Sequence, residues 1–181
     1  MAFVECPQRK PQRLKGYDYS QNGAYFITIC TANRSNILAE IVGFGIPDEP
    51  QENVGFGILD EPQVKMSDVG IKVCESLEFI NKNSTSITID KYVVMPNHVH
   101  IILFINNGSS GMPNPTNAIV PKTISSLKRF TNKSCGFSLW QSHYYDHVVR
   151  DEEDYLRICR YMDENPLKWQ EDKYYLDNNV T

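Results

Sequence analysis

The chain has 181 residues, of which 41% are hydrophobic and 22% charged. That composition excludes wholesale disorder and fibrous classes, and the length suits one domain, 1–181, with a modest insertion. Lys plus Arg is 18 and Asp plus Glu is 22, a net charge of −4, which taken alone argues against a surface that grips a phosphate backbone all over.

The five cysteines (Cys6, Cys30, Cys74, Cys135 and Cys159) are odd in number and form no C-x-x-C pair, so neither a disulfide framework nor a structural zinc site is expected. Residues 1–15 lack the apolar core of a secretory signal. The most apolar stretch, Tyr92 to Ile105, is interrupted by Pro96, Asn97, His98 and His100 and is too short to span a membrane. A soluble, cytoplasmic protein is expected.

In chain order, the N-terminal segment is basic, with Arg9, Lys10, Arg13 and Lys15 against Glu5. Ala24–Cys30 is β-branched and aromatic after Asn22-Gly23 and predicts a strand. Asn36–Val42 is a weaker strand, joined to the first by a short polar link that predicts a hairpin. The run Val42-Gly-Phe-Gly-Ile-Pro-Asp-Glu-Pro-Gln51 is nearly repeated as Val54-Gly-Phe-Gly-Ile-Leu-Asp-Glu-Pro-Gln63. Two copies are too few for a solenoid. Residues 42–64 therefore read as a duplicated, acidic Gly/Pro-rich loop insertion.

Ser67-Asp68 caps a predicted helix running to about Ile80, with Val69, Val73, Leu77 and Ile80 on one stripe. Ile87–Met95 and His98–Ile105 read as strands separated by Pro96-Asn97. Asn106–Thr116, punctuated by Gly and Pro, reads as a loop. Ala118–Cys135 predicts a helix whose polar side carries Lys122, Lys128, Arg129 and Lys133. Phe137–Arg150 is aromatic and irregular, and a last helix runs from Asp151 to about Asn165, before Pro166. The order β-β-α-β-β-α followed by a helix suggests an α+β domain with an antiparallel sheet.

Two constellations carry chemistry. Residues two apart in a strand share a face, so His98 and His100 point the same way, with Cα atoms about 6.6 Å apart. Two imidazoles at that spacing can converge on one cation, although a bare His-x-His is also found on strands that bind nothing. In the last helix, Tyr155, Ile158, Cys159 and Met162 form the core stripe. Tyr161 lies about 110° from the stripe's centre, and Asn165 lies one turn above it. Tyr161 is thus either a boundary residue or a hydroxyl beside the histidine strand. A divalent cation that polarises a phosphate makes tyrosine attack feasible, and Asn165 could supply that cation with an oxygen.

These segments resemble the REP-associated tyrosine transposases, members of the superfamily of single-tyrosine HUH transposases. The resemblance lies in Arg13–Arg34, in Val93-Val-Met-Pro-Asn-His-Val-His100, in Leu139–Arg150 and in Arg160-Tyr161 with Asn165-Pro166-Leu-Lys-Trp169. The duplicated loop has no counterpart in that pattern. The resemblance implies a ferredoxin-like or RRM-like antiparallel sheet with helices packed on it, plus a C-terminal catalytic helix. It implies that His98 and His100 bind Mg²⁺ or Mn²⁺ with Asn165 as third ligand, and that Tyr161 is the nucleophile. The implied activity is cleavage and rejoining of single-stranded DNA hairpins, repetitive extragenic palindromes, through a 5′-phosphotyrosine intermediate. No nucleotide cofactor is needed.

The implied partner is a single-stranded DNA hairpin, met by a monomer or homodimer that is nucleoid-associated when bound to DNA, with no membrane involved. Arg9, Lys10, Arg13, Lys15, Lys122, Lys128, Arg129 and Lys133 are available to track phosphates. Tyr17, Tyr19, Trp140, Tyr144 and Tyr145 are available to stack on unpaired bases. A non-catalytic binder of structured DNA or RNA and a replication-initiator or relaxase-like nuclease are the alternatives. The intact His98, His100, Tyr161 and Asn165 speak against the first, and a short chain without a helicase speaks against the second.

Overall fold

The computed structural model describes residues 22–43, 62–106 and 119–175. Arg9, Lys10, Arg13, Lys15, Tyr17, Tyr19 and most of the duplicated segment lie outside the described residues. Along the chain run β1 (Gly23–Cys30), β2 (Ala39–Val42), β3 (Gln63–Met66), α1 (Asp68–Asn83), β4 (Ile87–Met95), β5 (His98–Ile105), α2 (Ile119–Cys135), β6 (Tyr145–Val149) and α3 (Glu152–Glu164). Short 3₁₀ turns occupy Ala32–Arg34 and Trp169–Glu171.

Four strands form one antiparallel sheet in the order β4-β5-β1-β6. With α1 before β4 and α2 before β6, this is the ferredoxin-like arrangement. Alternation of side chains divides the sheet into two faces. Tyr25, Ile27 and Ile29 of β1 and Val99, Ile101, Leu103 and Ile105 of β5 pack under α1 and α2 with Val73, Leu77, Val120, Ile124 and Leu127. Each such side chain, fully buried, contributes roughly 1.5–3 kcal/mol. The other face holds a smaller apolar cluster, Phe26, Ile102, Ile158 and Met162, which seats α3. Tyr155 and Cys159 pack against its rim.

The N-cap of α1 is Ser67, as expected. Its Oγ accepts from the Gly70 N–H at 3.1 Å and donates to the carbonyls of Ile37 and Leu38. One cap therefore also ties the helix to the chain entering β2. Asp151 caps α3 by accepting from the Asp154 N–H at 2.8 Å, and three acids follow in its first turn, where the helix dipole favours negative charge.

Three expectations change. The predicted hairpin of the first two strands does not form. β2 pairs instead with β3 in a separate two-stranded sheet, while both edges of β1 are taken by β5 and β6. The ends of the expected 42–64 loop are ordered, Val42 in β2 and Gln63 and Val64 in β3, so residues 44–61 connect two paired strands. Residues 145–149, expected to be irregular, are strand β6.

Candidate active site

His98 and His100 open β5 on the face that carries α3, opposite Cys30 and Thr28 of β1. The structure places β5 second in the sheet, and both imidazoles are fully buried. Their Nε2 atoms lie 3.0 Å apart. Burial pushes the His98 pKa down to about 4, against the opposing pull of Asp172. Burial, then the neighbouring His98, also holds His100 well below its ordinary value. Both rings are neutral at physiological pH and offer lone pairs.

Asn97 orients the first ring. Its Nδ2 donates to the carbonyls of Arg34 and Tyr174, at 3.2 and 2.8 Å. Its Oδ1 is thereby turned to His98 Nδ1, 3.0 Å away. That network assigns the proton to Nδ1 and leaves Nε2 facing His100. His100 Nδ1 lies 2.8 Å from Thr28 Oγ1, and its ring stacks on Phe26 with centroids 5.0 Å apart.

Tyr161 comes from α3. Its side chain is at the margin of the helix's buried stripe, and the residue is 37% exposed. The hydroxyl lies 3.2 Å from both His100 Nε2 and Asp172 Oδ2. Burial and the Asp172 carboxylate raise its pKa above that of a free tyrosine. The residue is a phenol at rest and would have to lose its proton before it could act as a nucleophile. Asn165, one turn on, is buried; its Nδ2 donates to Asp172 Oδ2 at 2.9 Å. Its Oδ1 is buried with no hydrogen-bond partner.

Asp172, which the sequence did not single out, sits at the centre of this set. One carboxylate oxygen receives Tyr161 and Asn165, and the other accepts from the Tyr174 N–H at 2.7 Å. His98, His100 and Asp172 each present a ligand atom, all within 4.8 Å of one another. Two neutral imidazole nitrogens facing each other, a carboxylate, and an unsatisfied amide oxygen beside it fit a divalent cation. Asp172 escaped detection because it lies in an irregular turn beyond Pro166, with no periodicity to tie it to the histidines. Asn97 had a signal, its place directly before the His-x-His.

The DNA-binding candidates separate. Trp140 is buried in the core, and its indole N–H donates to Thr131 Oγ1 at 2.6 Å; it is not available to stack on a base. The Lys128 ammonium donates to the carbonyls of Gln141, Ser142 and His143, at 2.8, 3.2 and 3.1 Å. It ties that loop to α2 and has no donor left for a phosphate. Tyr144 packs half-buried against the same core. Lys122, Arg129 and Lys133 are exposed along α2, across the sheet from Tyr161.

A ferredoxin-like sheet thus bears two adjoining histidines, with a helix laying a tyrosine against them. An uncharacterized protein of Haemophilus influenzae is 32% identical over 93% of this chain and 94% of its own length. A REP-associated tyrosine transposase of Escherichia coli K12 is 28% identical over 88 residues, 48% of each chain. The solved structure of a REP-associated tyrosine transposase bound to a REP hairpin superposes with a TM-score of 0.53 at 18% identity, covering 93% of this chain and 77% of that one. No family model matches. The chain is thus similar to a REP-associated tyrosine transposase over about half of its sequence, and it shares the fold of another. No helix among the described residues is long and apolar enough to cross a membrane.

Proposed function

We propose that the protein is a metal-dependent HUH single-tyrosine transposase that cleaves and rejoins single-stranded DNA hairpins of the repetitive extragenic palindrome type. The observation that carries this reading is the Tyr161 hydroxyl at 3.2 Å from His100 Nε2, within one chain. A boundary tyrosine with no chemical role has no need to face a buried imidazole pair. The REP hairpin held by the structural relative supports the substrate class.

In this reading His98, His100 and Asp172 hold Mg²⁺ or Mn²⁺, with Asn165 Oδ1 as a further oxygen. The bound cation supplies charge neutralisation at the scissile phosphate, the larger task in phosphoryl transfer. Asn97 fixes the His98 ring, and Thr28 and Phe26 fix His100. Asp172 Oδ2 is placed to accept the Tyr161 proton. The Tyr161 oxygen then attacks the phosphorus, the bond to the 3′-oxygen breaks, and that oxygen leaves as a hydroxyl once protonated. The fragment downstream of the break stays joined to Tyr161 through its 5′-phosphate, as a phosphotyrosine. A 3′-hydroxyl later attacks that link, restores a phosphodiester and returns the proton to Tyr161. Because the covalent link conserves the bond, no nucleotide is consumed. The contact within one chain supports use of Tyr161 in its own subunit's site.

Incubation with an end-labelled hairpin and Mn²⁺ tests this. A covalent adduct stable to denaturing electrophoresis is expected with the wild type. Tyr161→Phe is expected to abolish the adduct while hairpin affinity stays within a few-fold. Persistence of the adduct in that variant would remove Tyr161 as nucleophile.

A further inference from the structure

The aromatic segment before α3 is sorted by face. Trp140 and Tyr144 turn into the α1/α2 core, whereas Tyr145 alternates to the opposite face and is 47% exposed. In β6, Tyr145 stands opposite Thr28 of β1, and Thr28 stands opposite His100 of β5. The three residues form one row across neighbouring strands, on the face that carries Tyr161. Two strand spacings place Tyr145 about 10 Å from His100 along that row. β6 is an edge strand of its sheet, so an unpaired base can slide onto the ring from outside.

Lys173 connects this ring to the site. Its ammonium lies 5.4 Å from the centroid of Tyr145 and 4.8 Å from that of Tyr174. It also lines the cavity of about 460 Å³ into which Tyr161, Asn165 and Asp172 face. The next aromatic-type side chain on this face of β6, His147, is held by Asp154 at 2.7 Å and is not free to stack.

We propose that Tyr145 is a base-stacking platform for the single-stranded nucleotide beside the scissile phosphate, and that Lys173 holds the phosphate linking that nucleotide to the site. The assignment rests on the reading of Tyr161 as the nucleophile. An exposed ring, an adjacent ammonium and a neighbouring reactive hydroxyl together match the recognition of an unpaired base with its phosphate. A base-paired nucleotide has its faces covered by its stacked neighbours and cannot use the ring. The platform would therefore select strands that are open next to the cleavage position.

The test uses the full-length protein and DNA hairpins with a single-stranded flank, each carrying one fluorescent aminopurine at a different flank position. For at least one position the wild type is expected to change the fluorescence as the base stacks. Tyr145→Ala should abolish that change and weaken binding of the flanked hairpin by about 5- to 150-fold, the range that base–aromatic stacking supplies. Tyr145→Trp should restore both. Lys173→Gln should weaken binding and flatten its salt dependence while leaving the stacking signal of the bound state. A melting curve confirms that each variant is folded, which is expected because the Tyr145 ring is exposed.

The inference is overturned if Tyr145→Ala binds and stacks like the wild type, or if the wild type shows no stacking at any flank position. A wild type that stacks a base through Tyr145 yet forms no adduct with Tyr161 sinks the transposase chemistry alone. A wild type that forms the adduct and ignores Tyr145→Ala sinks the platform alone.

Discussion

Two imidazole nitrogens 3.0 Å apart in a buried site pose a problem that Asn97 resolves. If His98 carried its proton on Nε2, the ring would present a donor to the site and could not ligate a cation. Asn97 spends both amide hydrogens on backbone carbonyls, so its oxygen must accept from His98 Nδ1. Asn97→Leu removes that acceptor at little change in volume. It is expected to weaken Mn²⁺ affinity by about 10- to 100-fold, the usual effect of removing a partner that orients a ligand, as measured by calorimetric titration. Unchanged affinity would mean that the ring is held by packing against Trp169 and Tyr174 alone. At this scale the sequence was informative where spacing has geometric meaning. His98 and His100 share a face because a strand has period two, and Tyr161 and Asn165 share one because a helix turn spans four residues. Asp172 obeys no such rule, since it reaches the site through an irregular turn that follows the buried Trp169.

The elements are held in place by a few contacts that a single atom can break. Gly70 in α1 lies against the backbone entering β2, and a Cβ there would meet the Leu38 carbonyl oxygen at 2.1 Å. Backbone cannot rotate away as a side chain can. Gly70→Ala should therefore destabilise the protein by about 1–3 kcal/mol, read as a lowered denaturation midpoint in urea. A second contact anchors the start of α3. His147 of β6 bonds to Asp154, which Arg157 also pairs with, and the His147 bond, followed by that of Arg157, pulls the Asp154 pKa down to about 2. A carboxylate with a lowered folded-state pKa contributes stability above its unfolded value of about 3.9, and the contribution is lost as pH falls through the folded value. Asp154→Asn should thus melt a few degrees below the wild type at neutral pH, and the gap should close between about pH 4 and pH 2. A gap that stays constant across that window would show the pair to be energetically silent. Strand existence was legible for β1, β4 and β5, whose apolar runs are long. The pairing of β1 was not, because a short link makes a hairpin plausible but cannot reveal that β5 and β6 already occupy both edges. β6 was hidden by its own composition: Tyr145, Asp146 and His147 mix a half-exposed face with a buried one and show no clean alternation of polarity.

Across the whole molecule, charge and chemistry are distributed on two faces of one sheet. The net charge of −4 is an average over unlike parts. The acids Asp48, Glu49, Glu52, Asp60 and Glu61 of the duplicated segment account for five negative charges, and the chain without them carries +1. α2 holds four basic residues and no acid. Lys128 is consumed by loop carbonyls, which leaves Lys122, Arg129 and Lys133 exposed on a helix that packs against the face away from Tyr161. Under the proposed function, a cation on that face cannot touch a phosphate cleaved on the other, so it could act in binding alone. A hairpin long enough to pass an edge of the sheet can touch both. Lys122→Glu, Arg129→Glu and Lys133→Glu together are therefore expected to weaken hairpin binding. The slope of log affinity against log salt should fall by roughly 0.7–0.9 for each phosphate that the variant no longer neutralises. At saturating DNA, the rate of adduct formation on Tyr161 should stay within a few-fold of the wild type. Titration at several salt concentrations, followed by single-turnover cleavage, separates the two quantities. A variant with an unchanged salt slope would show that the α2 stripe is a solvated face, and one with normal binding but slowed adduct formation would place those cations on the catalytic side after all.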